Sequence, residues 1–193
     1  KPNPTCGRRV TSESENIFDE LPGELLIWVL IVSEILVFGV GLIVFLSVRL
    51  TDPEGFAEAQ NMLDRTGAGI NTVILITSGY LAALACHWTR PAERARRRLA
   101  LVGAAVLGSV FLWIKGSEFL AKSASGIVWD THPFFNFYYM LTGFHAAHVI
   151  AGVLLLLVVA WRDHEGTTAD AVAFWHMVDL VWVLLFPVIY LLQ

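Results

Sequence analysis

Long apolar blocks alternate with short polar connections along this chain. Five blocks reach roughly 20 residues, the length a helix needs to cross about 30 Å of hydrocarbon. The pattern predicts helices over about 24–48, 69–88, 99–121, 134–161 and 170–192. Leu21-Pro22-Gly23-Glu24 reads as a turn into the first span, and Asp52-Pro53-Glu54-Gly55 as the turn that ends it. His132-Pro133 opens the fourth. The expected fold is an all-α integral membrane protein: a polar N-terminal segment, 1–23, then a five-helix transmembrane bundle over 24–193.

Composition agrees with that pattern. Of 193 residues, 56% are hydrophobic and only 16% charged, where a soluble domain carries about 25% charged residues. The net charge of −4 gives no basic surface for nucleic acid. Residues 1–23 lack the apolar centre of a signal peptide. The chain does not begin with Met, so processing or omission of the natural start is expected. Cys6 and Cys86 are expected to be free thiols.

Charge then sets the expected orientation. The loop between spans two and three holds Arg90, Arg94, Arg96, Arg97 and Arg98 against Glu93. The loop after span one holds Asp52, Glu54, Glu58 and Asp64 against Arg49 and Arg65. Basic loops stay cytoplasmic, which puts the N-terminus inside and the C-terminus outside. The same arginines could instead meet anionic lipid or an acidic partner surface.

The candidate chemistry lies inside the spans, where ionisable groups are costly and usually functional. Glu34 lies about 15 Å into span one at 1.5 Å per residue. It reads either as a proton-exchanging or lipid-contacting carboxyl, or as a protonated acid bonded to a neighbouring helix. Lys115 and Glu118 read as an intrahelical pair near the outer interface, with the lysine snorkelling outward. His145 and His148 in span four, and His176 and Asp179 in span five, are each spaced i, i+3 and reach similar depths. Facing one another, they could form a packing framework, a proton relay or an iron or zinc site. Two histidines i, i+3 on one helix cannot both be trans axial haem ligands. Gly143, Ala146, Ala147 and Gly152 in span four suit close helix packing, as do Asn71, Thr72, Thr77, Ser78 and Gly79 in span two. Several of the seven tryptophans are expected at the interfaces.

Five segments in order resemble the haem-copper oxidase subunit III family. They are 32–38 around Glu34, Asn71 to Gly79, Gly116-Ser117-Glu118-Phe119, Tyr139 to Ile150 with both histidines, and Phe174 to Trp182 with His176 and Asp179. Against the seven-helix mitochondrial type, the expectation is a five-helix version without the first two helices, as in bacterial oxidases and the NorE-like proteins. The chain's length, and the Leu-Pro-Gly-Glu lead into span one, favour the NorE-like accessory protein of nitric oxide reductase operons over bacterial cytochrome c oxidase subunit III. Lys115 stands where many members have an uncharged polar residue.

The resemblance implies a non-catalytic accessory subunit in a bacterial cytoplasmic (inner) membrane. It would serve aerobic respiration or denitrification and carry no redox centre or cofactor of its own. Haem and copper or iron would sit in the partner, haem-copper oxidase subunit I or the nitric oxide reductase large subunit. Phospholipids would fill the grooves, and Glu34 would support proton uptake. His145, His148, His176 and Asp179 would belong to the polar interior, which lowers the metal reading. The rival readings are a stand-alone proton-conducting or small-solute transporter, and a metal-dependent membrane enzyme.

Overall fold

The computed structural model describes residues 25–88, 91–162 and 165–192. The predicted N-terminal segment, Cys6, the Pro22-Gly23 turn and Arg90 lie outside them.

The helices are α1 (Leu25–Arg49), α2 (Pro53–Asn61), α3 (Arg65–His87), α4 (Arg94–Ala124), α5 (Pro133–Arg162) and α6 (Glu165–Phe186). A 3-10 turn, Pro91–Glu93, leads into α4, and a π-helical turn, Pro187–Leu191, continues α6. Among the described residues, five helices are long and apolar enough to cross a membrane: α1, α3, α4, α5 and α6. Helix α4 is about 46 Å long at 1.5 Å per residue, so it projects beyond the hydrocarbon. It begins at Arg94 rather than Leu99, because a helix that leaves the membrane can carry arginines in its first turns.

Helices α3, α4, α5 and α6 close into a ring, each packed on the next and α6 back on α3. Helix α1 lies outside the ring against α5 and α6. Only 11% of the apolar stretch of α1 is buried, against 56% for α6. The apolar surface of α1 therefore faces lipid or another protein.

Small residues set the ring spacing. Gly108 of α4 and Gly152 of α5 flank the buried Trp175 of α6. A Cβ would lie 2.5 Å from the indole at Gly108 and 2.6 Å at Gly152. Gly143 has nothing near its Cβ position, and Ala147 is exposed, so the small-residue stripe predicted in span four packs only in part. Asn71 donates to the Phe111 carbonyl (3.3 Å) and Ser78 to that of Ala104 (2.8 Å), which ties α3 to α4. Thr77 is exposed and bonds its own helix. Trp113, Trp129 and Trp161 are exposed, whereas Trp175 and Trp182 are core. Cys86 is a free thiol.

The segment read as a simple turn after span one contains a helix. Asp52 caps α2 by accepting from the Gly55 N–H at 3.1 Å, and Pro53 occupies the first turn. Phe56 of α2 packs edge-on against Phe45 and Phe134. Gln60 donates to the Ile189 carbonyl at 2.9 Å. Asp64 caps α3 in the same way through Gly67, at 2.9 Å, so that helix starts at Arg65 rather than Gly69. Helix α4 ends at Ala124 with Ser125 as its C-cap, followed by Gly126 at φ +77°, a conformation that suits glycine.

Candidate functional site

The polar interior divides into three separate centres. The first lies between α1 and α5. Glu34 projects from α1 among apolar neighbours, and its Oε2 is 3.1 Å from His148 Nε2. The contact is close but out of line for an aligned hydrogen bond. Both side chains are about four-fifths buried, with 17% of His148 and 21% of Glu34 exposed. His148 Nδ1 lies 2.9 Å from the carbonyl of Phe144. A carbonyl only accepts, so Nδ1 carries a proton and donates. The remaining nitrogen, Nε2, then faces the carboxyl. Phe38 presents its ring to both histidines of α5, 5.8 Å from His148 and 6.4 Å from His145.

His145 does not join this pair. Its ring is fully buried, stacked on Trp182 at 5.3 Å and edge-on to Phe111 at 5.7 Å. Among the described residues, neither ring nitrogen has a hydrogen-bond partner. Trp182 in turn donates to Thr72 Oγ1 at 2.9 Å.

The second centre joins α4, α5 and the π-helical turn. Lys115 Nζ donates to Glu118 Oε2 at 2.8 Å, to the Tyr138 hydroxyl at 3.3 Å and to the Tyr190 hydroxyl. Tyr138 donates to Glu118 Oε1 at 2.9 Å. The ammonium lies 4.9–5.7 Å from the ring centres of Tyr190, Tyr138, Trp182 and Phe119, within cation–π range. The predicted ion pair with Glu118 forms, but the predicted snorkelling does not. Lys115 points inward and is 2% exposed, because carboxylate, hydroxyls and ring faces together replace water. Lys122 completes the set, 3.9 Å from Glu118 and bonded to the Met62 carbonyl at 3.1 Å. A cleft of about 410 Å³, lined by Asp64, Ser117, Glu118 and Lys122 among others, opens onto it.

The third centre lies between α6 and α3. His176 Nδ1 is 3.9 Å from Asp179 Oδ2, and Asp179 fills the space left by the missing side chain of Gly79. Among the described residues, the buried Asp179 Oδ1 has no hydrogen-bond partner.

His145, His148, His176 and Asp179 therefore do not converge. His148 meets α1, His145 faces the ring interior, and His176 and Asp179 pack beside α3. Among the described residues, no three His, Cys, Asp or Glu side chains group as a metal set. Sequence reasoning missed Tyr138, Tyr190, Lys122 and Trp182. The signal for Lys122 was present, since Glu118 and Lys122 are spaced i, i+4. The tyrosines come from distant segments that only the fold brings together.

Comparison with known proteins adds to this geometry. The profile of the family described as cytochrome c oxidase subunit III matches residues 24–193. "Cytochrome c oxidase subunit 3" of Thermostichus vulcanus is 36% identical over 134 residues, 64% of this chain and 64% of the relative. The protein of that description from Synechocystis sp. is 34% identical over 150 residues, 72% of this chain and 61% of the relative. That from Rhizopus stolonifer is 34% identical over 132 residues, 63% of this chain and 44% of the relative. The aligned part spans less than two thirds of the length of each.

Proposed function

Because the chain belongs to the cytochrome c oxidase subunit III family, we propose that it is a non-catalytic accessory subunit of a haem-copper oxidase in which Glu34 and His148 hold an exchangeable proton. The partner is the catalytic subunit, which carries the haem and copper; this chain supplies no redox centre. The relatives' descriptions support an oxidase rather than the nitric oxide reductase branch. The arginines at the start of α4 lie on the cytoplasmic side, and the acidic segment 52–64 lies on the other. Phospholipid covers the exposed apolar face of α1 where the partner does not.

One observation carries the proton role: His148 Nδ1 donates to a carbonyl while Nε2 faces Glu34 at 3.1 Å. With no proton on Nε2 or on the carboxyl, an imidazole lone pair and a carboxylate oxygen would sit 3.1 Å apart inside the membrane. The pair therefore keeps one proton, on the imidazole or on the carboxyl. Partial exposure on the α1–α5 face lets that proton exchange with a partner or with water.

The test is turnover of the intact complex. Glu34→Gln and Glu34→Ala should leave assembly intact and slow turnover or shorten the active lifetime. His148→Phe should reproduce the effect. Unchanged turnover and lifetime in all three would contradict the proton role.

A further inference from the structure

We propose that the start of α4 binds an anionic phospholipid, its headgroup between Arg96 and Arg98 and an acyl chain along Leu99, Val106 and Trp113. The inference stands apart from the accessory-subunit reading, and it concerns a different helix from the lipid-covered face of α1.

Helical spacing builds the site. At about 100° per residue, Leu99, Val106 and Trp113 fall on one strip of α4, about 40° wide. They are 74%, 56% and 80% exposed. The opposite face carries Arg97, Ala104, Phe111 and Lys115 into the core, so the strip faces out of the bundle. Ala95 continues the strip, and Arg96 and Arg98 flank it, about 80° to either side. All three are exposed. Ala95 stands about 6 Å beyond Leu99 along the axis. That is inside the headgroup layer, which is roughly 5–8 Å deep on each side of the hydrocarbon. A small residue between two long cations leaves room for a phosphate, and guanidinium groups bind phosphate through paired N–H donors.

Charge selects the headgroup. Arg94, Arg96, Arg97 and Arg98 stand at this end of the helix against Glu93, whose side chain makes no capping bond. Cations near a helix N-terminus are unfavourable, so an anion meeting them relieves a cost that the chain itself carries. Arg97 is turned inward, buried and bonded to the Trp88 carbonyl at 3.3 Å, which leaves Arg96 and Arg98 for the surface. A zwitterionic headgroup would bring its own ammonium up to the two guanidiniums, whereas an anionic one brings only negative charge. An acidic protein segment would match the arginines but not the apolar strip that runs on below them. A phospholipid matches both.

The experiment is native mass spectrometry of the full chain in detergent with phosphatidylglycerol and phosphatidylcholine of matched acyl chains. Wild type should retain phosphatidylglycerol in preference. Arg96→Gln or Arg98→Gln should each cut that preference about fivefold, and the double variant about twentyfold or more, as expected for basic residues at a lipid surface. Arg162→Gln removes the same charge from the last turn of α5 and should leave the preference within about twofold. Melting gives a second readout. The double variant should melt at or above wild type in phosphatidylcholine discs, where the arginines only oppose the helix dipole, and below it in phosphatidylglycerol discs. A photo-reactive residue at Ala95, in the native membrane, should capture phospholipid. No preference in wild type, or an equal loss in Arg162→Gln, overturns the site. A double variant that melts lower in both lipids makes the arginines structural and overturns it too. Capture of a protein segment at position 95 assigns the surface to an acidic partner instead.

Discussion

Asp52 and His132 cap two helices through one contact. Asp52 Oδ1 accepts from the Gly55 N–H at the start of α2, and its Oδ2 lies 3.2 Å from His132 Nε2. His132 Nδ1 accepts from the Phe134 N–H at the start of α5, at 3.1 Å. Accepting there leaves the ring proton on Nε2, where it donates to Asp52. Two connections far apart in sequence are thus joined outside the spans.

This bridge has a pH signature. The Gly55 N–H and then His132 hold the Asp52 carboxyl below the usual carboxylate range. A depressed folded pKa adds stability above the unfolded value, and that stability is lost as pH falls through the folded value. Asp52→Asn should therefore melt slightly below wild type at about pH 7, with the gap closing as pH falls below about 4. Thermal unfolding of the detergent-solubilised chain across that range checks this. A gap that widens on acidification would contradict it.

The Lys115 centre should show strong coupling. Lys115→Met leaves Glu118 with two hydroxyls and the more distant Lys122 ammonium, and Glu118→Leu strands the buried Lys115 ammonium. Each single change should cost about 3–5 kcal/mol, while the double change should cost much less than their sum. A double-mutant cycle on unfolding in lipid discs measures the difference. Additive losses would mean that the pair is not energetically coupled.

The glycines at Trp175 separate tight positions from open ones. Gly152→Ala places a methyl about 2.6 Å from the buried indole, and overpacking of this kind costs about 1–3 kcal/mol. Gly143→Ala, on the same helix with open space around it, should be neutral or slightly stabilising through helix propensity. Melting temperatures of the two variants should diverge; equal shifts would show that Trp175 is not wedged between α4 and α5.

The spans were legible because bilayer thickness imposes length and composition on each helix. Helix α2 was not, since its nine residues mix polar and small side chains around a single large apolar one, Phe56, and so carry little periodic signal; its cue was the Asp52-Pro53 cap. The histidine pairs misled for a geometric reason. Three residues turn a helix through about 300°, so His145 and His148 diverge by about 60°, enough to send one inward and the other to Glu34. Lys115 was placed outward because snorkelling is the usual escape for a lone lysine. Its four aromatic walls and two hydroxyls come from α4, α5, α6 and the π-helical turn, which no local pattern reveals.

Copurification tests the central claim most directly. The tagged full chain, extracted in mild detergent from its own membrane, should bring down a haem-containing catalytic subunit in constant ratio, and the complex should show a reduced-minus-oxidised haem spectrum. The chain stripped of that partner should show no visible absorption. A chain that purifies alone, and that carries protons across liposomes in a manner abolished by Glu34→Gln, would contradict the account and restore the transporter.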